Sequence, residues 1–590
     1  MKLTSKLFLT CFVVLSVVAL GVVPVRQQAS VTPQASHSQA TQKLPIFRLA
    51  APQVSEERIR ELGKSTLGIS EAAKRDGDTM SIQSGSSVVE VDAKSGAIWV
   101  ADQAQLWNPD SKPQLPDEKR ARAIADEFLS QNKMLMPAGQ EKYSLTSFNS
   151  TASTRAVRYD IATRKRDERK LDVQVNYSTR VSVPGFKSDL PVVGGGGDFS
   201  VTLGDQGKLI GFQGLWRPIE GIETESPMIP KERADAQFKQ MTGNLKLRSY
   251  DAELAYYAEP TGVEQKFLYP VYVYRATAVV ENEVVPLRIV TIPATEFGPK
   301  RPEPERARPR TPTDMPTRRS SEPEDKQERE KGQSYPNHFL SRALSPAPET
   351  GTAREGGSSY IGVSGGLAGS QPNAQGFVNG LSADGWSINF LWGDAAAFES
   401  DWRLNDDAWV DAADFVFYTG HANMNGWVLS NPNDTFLNFS EVGASPQAPG
   451  DIWGWQDLEW AIIAACGPLQ DNAISPGGGD VFARWDGAFD GLHQLLGYGA
   501  ITFDNTQEGA RVVQYARGGA TVINSWFRAA KEIQPSTNGS SPPDGPTVWV
   551  GVMYVGRSGA DPGNDHIWGH GSVSADPTSP TYYVAIWSPC

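Results

Sequence analysis

Cysteine is scarce in this chain, with three residues in 590, which rules out a framework of many disulfides. Cys11 sits inside an apolar run at the start. The other two, Cys466 and Cys590, would pair by default in an oxidising compartment, so any chemical role for Cys466 competes with a bridge. Positive charge is also in deficit: 55 Lys and Arg face 68 Asp and Glu, a formal net charge of −13. That balance argues against a nucleic-acid partner held by phosphate contacts. The run Gly194 to Gly197 lacks the preceding strand that a phosphate cradle needs and reads as a flexible turn. His566 and His570 have a ligand-like spacing, but Gly569 and Gly571 oppose a helix there and no third ligand is evident. Neither a metal nor a cofactor is expected.

What is present begins with Lys2 and Lys6 ahead of an apolar stretch from Leu7 to Val23, the charged and hydrophobic segments of an export signal. Residues 1–25 are read as a signal peptide and the protein as secreted or extracytoplasmic, with a membrane contact only if that segment is not cleaved. A polar stretch follows over 26–45. The length predicts more than one folded unit, and 39% hydrophobic with 21% charged residues is ordinary for globular chains.

Residues 46–298 read as a strand-rich α+β region in which a hairpin-helix pattern occurs twice. Val88 to Asp92 and Ala97 to Val100 alternate around Lys94-Ser95-Gly96 as a hairpin does, and Pro116-Asp117-Glu118 opens a helix with apolar positions Ala121, Ile124, Ala125 and Phe128. The second unit is Phe199 to Leu203, Leu209 to Phe212 and a helix from Pro230 through Phe238. Tyr269 to Val280 and Val284 to Ile292 read as closing strands. The stretch from Val173 to Trp216, with Tyr177 and Leu190 to Gly197, resembles PepSY-like and thermolysin-propeptide-like modules. That resemblance implies a pro-region or accessory role beside a peptidase.

Residues 299–357 are rich in Pro, Arg, Glu and Ser and read as a disordered linker. From 358 to 590 short apolar strands alternate with helices, and about thirteen of the sixteen tryptophans fall there. The pattern predicts an α/β domain with a mostly parallel central sheet. Tyr360 to Val363 reads as its first strand, Ala374 to Leu381 as a helix and Ser387 to Leu391 as a second strand. The tryptophans are expected mainly in the core, with sugar stacking as the other reading.

Two continuous apolar runs stand out. Asp414 to Tyr418 leads into Thr419-Gly420-His421-Ala422, and Leu458 to Ala464 leads into Ala465-Cys466-Gly467. Such runs are central parallel strands buried on both faces, and each delivers a reactive side chain at its carboxyl end, where ligand sites form in open α/β sheets. Paired imidazole and thiol support nucleophilic acyl transfer, with the backbone N–H groups of Ala422 and Gly467 as oxyanion donors. His493, beside Leu492, Leu495 and Leu496, reads as packing or surface.

A strand ending in His and a small residue, then a strand ending in Ala-Cys, resembles the caspase-like cysteine peptidases, a clan that includes legumain, gingipain, clostripain, separase and the bacterial CHAT domains. Gly491 to Phe503 looks like the helix and next strand of those domains, and Val512 to Lys531 like their later helical stretch. The resemblance spans roughly Tyr360 to Glu532, and the whole layout resembles an uncharacterised family of exported bacterial proteins. It implies Cys466 as nucleophile, His421 as base and a peptide or protein substrate, with contact between the N-terminal region and the C-terminal cleft. Asp434, Asp486 and Asp490 would offer an acidic substrate pocket. The chain departs from the pattern in having Ala422 where the family has Gly, and Gly-Pro-Leu after Cys466. The competing expectation is a non-catalytic exported binding protein for a glycan or protein ligand.

Overall fold

Alternating burial along short segments makes this chain mostly strand, arranged in mixed sheets with a few helices, an α+β architecture. The computed structural model describes residues 42–132, 142–301, 303, 307–310 and 354–590, leaving out 404, 431–434, 443, 446–447, 450–452, 455, 490, 541–545, 557–561 and 578–579. The expected signal segment and most of the expected linker therefore lie outside the described residues. No helix among the described residues is long and apolar enough to cross a membrane.

A fifteen-stranded sheet carries the N-terminal region. The first expected hairpin forms as Ser87–Asp92 against Ile98–Asp102, and the second as Asp198–Leu203 against Leu209–Gly214. The two hairpins join edge to edge, Phe212 opposite Val100. Each expected helix forms as well. Asp117 caps Glu118–Gln131 by accepting from Arg120 N at 2.8 Å, leaving Ala121, Ala125 and Leu129 buried, and Pro230 precedes Lys231–Met241, which buries Ala234 and Phe238.

Nine strands form the second sheet: β1 (Arg155–Asp160), β2 (Lys165–Lys170), β3 (Glu355–Tyr360), β4 (Ser387–Gly393), β5 (Phe415–Thr419), β6 (Trp460–Ala464), β7 (Gln494–Tyr498), β8 (Trp549–Gly556) and β9 (Tyr582–Pro589), in the order β4-β3-β5-β6-β7-β8-β9-β1-β2. The expectation of a mostly parallel sheet is corrected. Pairing is parallel from β4 to β7 and antiparallel from β7 to β2. The antiparallel half includes a hairpin, β1 and β2, supplied by the N-terminal region. Its outer strand, Lys-Arg-Asp-Glu-Arg-Lys, is almost wholly exposed, and such charge discourages further strand addition.

The expected first strand, Tyr360 to Val363, is corrected: β3 ends at Tyr360, Val363 opens a 3-10 turn, and the strand begins inside the stretch whose composition reads as linker. Its sequence, Glu-Gly-Gly-Ser-Ser-Tyr, is not apolar, because neighbours fill the space. A Cβ on Gly357 would lie 2.0 Å from the Phe390 ring and one on Gly356 2.5 Å from Leu381. No helix lies within Gly491–His493; the nearest α-helix before β7 is Val481–Trp485, followed by the 3-10 turn Asp486–Ala488.

One face of this sheet packs on the rings of Trp402, Trp427, Trp453 and Trp485, whose mutual centroid distances include 5.2 Å for Trp402–Trp427 and 5.4 Å for Trp427–Trp485. The core reading of the tryptophans is the one seen for these four. The opposite face packs on α1 (Ser370–Ser382), α2 (Glu508–Arg517) and α3 (Val522–Ile533), together with Trp99 and Trp107 of the N-terminal region. Both regions thus share a core, and residues Gln42–Cys590 form one compact unit. The Gly194–Gly197 run is a tight docking turn rather than a flexible one: a Cβ on Gly195 would lie 2.6 Å from the Ile533 carbonyl oxygen at the end of α3. Beside it, Asp198 accepts from the backbone N and Oγ of Ser536, each at 2.9 Å.

Candidate functional site

β5 and β6 are neighbours, parallel and fully buried, with Phe415 opposite Trp460 and Thr419 opposite Ala464. His421 and Cys466 each follow the last paired residue by two positions, so both stand at the carboxyl edge of adjacent strands. Gly467 has φ of 83°, in the left-handed region that favours glycine, and turns the chain sharply after Cys466. A Cβ there would lie 3.6 Å from the carbonyl carbon of Asn423, so the two turns abut. Ala422 enters a short strand opposite Trp427.

The loops after β3 and β7 complete the edge. Gly365, after β3, places its carbonyl oxygen 2.8 Å from His421 Nε2. Thr502, after β7, donates its backbone N–H to Cys466 Sγ at 3.4 Å and holds Oγ1 3.7 Å from the same sulfur. Cys466 is buried among Ala255, Val271, Val273, Ile289, Ile501 and Phe503. Cys466 and Cys590 are both free thiols, so the default bridge does not form, and burial pushes the Cys590 thiol up to about 12.

Arg288 of the N-terminal region occupies this edge. Its backbone N–H donates to His421 Nδ1 at 3.1 Å. Its guanidinium donates to Thr419 Oγ1 at 2.8 Å, the Ala464 carbonyl at 2.9 Å and the Phe503 carbonyl at 2.6 Å, and pairs with Glu508 at 3.3 Å. The flanking Ile289 donates its N–H to Thr502 O at 2.8 Å, and its own carbonyl accepts from Asp504 N at 2.9 Å. Because Nδ1 accepts from Arg288, the imidazole proton belongs on Nε2, facing Gly365 O. Burial, with a smaller push from the Arg288 cation, lowers the His421 pKa to about 4, against an opposing effect of the Gly365 carbonyl. The ring is neutral near pH 7. Burial alone would weaken the charge on Arg288, but Glu508 first, then Asp504 and Cys466, hold its pKa above the ordinary value. Glu508 is itself fixed by Tyr498 Oη at 2.6 Å, Gln534 Nε2 at 2.8 Å and Asn373 Nδ2 at 3.1 Å.

The other expected site residues scatter. Asp434 and Asp490 lie outside the described residues. Asp486 follows helix Val481–Trp485 and its backbone carbonyl accepts from Tyr583 Oη of β9 at 3.0 Å; no contact among the described residues joins it to His421 or Cys466. His566 and His570 do not converge: His570 Nε2 meets Asp384 at 2.8 Å, whereas His566 Nδ1 faces Ser572 O. His493 is fully buried, its Nδ1 2.6 Å from Asp565 and its Nε2 3.6 Å from Asp576. Burial would lower its pKa, but the two carboxylates outweigh burial and raise it. Arg288 was missed by sequence reasoning. The signal available was one charge in the middle of the apolar run Val284-Val285-Pro286-Leu287-Arg288-Ile289-Val290.

A family model described as a domain of unknown function, DUF6345, matches residues 355–588, the part of the chain that holds β3 to β9. No curated protein matches the chain. Among solved structures, an uncharacterised protein from Eubacterium rectale ATCC 33656 is similar at 9% identity and a TM-score of 0.24, over 44% of this chain and 85% of that one.

Proposed function

We propose that this chain is an exported, caspase-like cysteine peptidase held latent by its own N-terminal region, with Cys466 as nucleophile and His421 as general base. The observation that supports this reading is the placement of thiol and imidazole two residues beyond the paired ends of adjacent parallel strands, with Arg288 filling the edge between them. Withdrawal of Arg288 would free His421 Nδ1 to accept the thiol proton. The thiolate would then attack a peptide carbonyl, whose developing oxyanion meets the N–H groups of Ala422 and Gly467. The imidazolium returns its proton to the leaving amine, and water releases the acyl group from sulfur.

The test is site-resolved mass spectrometry of the full chain exposed to a small alkylating reagent, before and after proteolytic nicking within 299–357, alongside hydrolysis of a mixed peptide library. The expected result is slow labelling of Cys466 in the intact chain and fast labelling after nicking, lost in His421→Ala, with hydrolysis abolished by Cys466→Ala. Full hydrolysis by Cys466→Ala would sink the assignment. A second reading, an exported binding protein on the same fold, is favoured by one observation: both nitrogens of His421 are already met by main-chain groups. It predicts no hydrolysis in any state and ligand binding indifferent to alkylation.

A further inference from the structure

Arg310 stands in the stretch whose composition reads as linker, yet its side chain is only 3% exposed. Its neighbours Arg308 and Pro309 are exposed, so one side chain enters the domain while the chain beside it stays at the surface. A guanidinium is not driven inside by hydrophobicity; it is buried only where partners receive it.

The partners come from β4 and the turns that follow it. Trp392, next to last in β4, and Trp409 meet edge to face, with ring centroids 5.4 Å apart and planes at 84°. Arg310 Cζ lies 4.5 Å from the Trp392 centroid, 4.2 Å from that of Phe398 and 5.5 Å from that of Trp409. Asp401, also 3% exposed, accepts from Arg310 Nη1 at 3.1 Å with one oxygen and from Nη2 with the other. Arg310 Nε donates to the Ala396 carbonyl, 86 positions away, at 2.9 Å. Arg308 reaches the Trp392 ring as well, at 5.6 Å. These contacts select a guanidinium over an ammonium: the planar cation lies against aromatic faces, and its fork fits both oxygens of one carboxylate.

The cage lies at the carboxyl edge of the sheet. Asp394, just after β4, accepts from the N–H groups of Gly362 and Ser364 at 2.9 Å each, in the loop whose Gly365 carbonyl meets His421. It shares no residue with His421 or Cys466, and β4 is separated from β5 by β3, a distance of about 10 Å.

We propose that Trp392, Phe398, Trp409 and Asp401 form a recognition site for an arginine side chain of a peptide, occupied in cis by Arg310. A ligand tethered in cis acts at an effective concentration on the order of millimolar, so the intact chain masks the cage from a peptide in trans. Withdrawal of Arg310 leaves Asp401 buried without its counter-charge, a cost that a second arginine removes. The site is read out by binding, without hydrolysis, and stands apart from the peptidase reading.

The experiment is calorimetric titration of the full chain, as wild type, Arg310→Ala and Arg310→Lys, each checked for folding by a thermal melt. The probe is the peptide acetyl-Ala-Arg-Pro-Arg-Thr-Pro-amide, which has the sequence of residues 307–312; a control peptide carries lysine in place of the second arginine. Arg310→Ala should bind one equivalent of the probe roughly tenfold or more tighter than wild type does, and adding Asp401→Asn should abolish that gain. The lysine peptide should bind roughly tenfold more weakly. Arg310→Lys, which keeps a charge beside Asp401, should show an intermediate affinity and carries the test if Arg310→Ala does not fold. Equal affinity in wild type and the folded variant, no saturable binding at millimolar peptide, or a gain that survives Asp401→Asn would overturn the proposal. Equal binding of the two peptides would overturn the choice of arginine.

Discussion

The two edges of one parallel sheet solve the problem of buried charge in opposite ways. At the carboxyl edge the chain brings its own cation: Arg288, from the N-terminal region, meets Glu508, two strand-end oxygens and the Phe503 carbonyl beyond β7 with no exposed surface. At the amino edge, Glu459 finds mainly other carboxylates. Each edge also holds a buried histidine. His421 is neutral, satisfied by main-chain groups and pushed down by burial, whereas Asp565 and Asp576 favour the charged form of His493. The comparison shows that strand ends in the same sheet take their electrostatics from what packs over them. The carboxyl edge depends on a segment far away in sequence; the carboxylates of the amino edge come from the starts of β3, β5 and β6 themselves.

Breaking the internal cation should have the largest effect. Arg288→Met leaves Glu508 buried with its counter-charge gone, and loss of one partner of a buried pair costs about 3–5 kcal/mol, measurable as a shift in urea midpoint. Arg288→Met combined with Glu508→Gln should recover most of that loss, because Gln still accepts from Tyr498, Gln534 or Asn373.

The histidines sharpen the comparison through pH. The folded pKa of His421, about 4, lies below its ordinary value of 6.5, so between those values the unfolded chain binds the extra proton. Its contribution is complete above pH 6.5 and is lost as pH falls toward 4, a decline on the order of 3 kcal/mol. His421→Gln should flatten that slope in denaturant melts from pH 4 to 7. His493 has the opposite sign: its raised pKa gives stability that is full below its ordinary value and lost as pH rises through the folded one. His493→Gln should therefore lower stability more at pH 5 than at pH 8.

Docking between the regions provides the next test. Gly195→Ala places a Cβ against the Ile533 carbonyl, and overpacking of this kind costs about 1–3 kcal/mol. Alkylation of Cys466 should accelerate as well. Gly221→Ala, with nothing within 4 Å of the added atom, should alter neither.

Much of the sheet was legible in sequence because burial on both faces demands continuous apolar runs, and β5 and β6 have them. β3 was not, because Gly356 and Gly357 make room for Leu381 and Phe390, a requirement set by the partners. Arg288 was hidden for the same reason: a lone charge in an apolar strand declares that something compensates it, but Glu508 is 220 positions away. Asp414 opens one apolar run and Glu459 stands second in the other, and inside those runs neither signals that the strands start side by side. The pairing of β1 with β9 had no local signal at all.

That last pairing sets a timetable. Arg155 in β1 hydrogen-bonds into the sheet opposite Trp587 in β9, and at about 5–20 residues per second a ribosome needs roughly 20–90 s to travel between them. For that interval the inner edge of the hairpin has no strand to pair with, while its outer edge is already guarded by charge. Closure of the sheet is thus a late event in the birth of the chain, and a holdase that covers β1 until β9 emerges would act at the step where this protein is most exposed to mispairing.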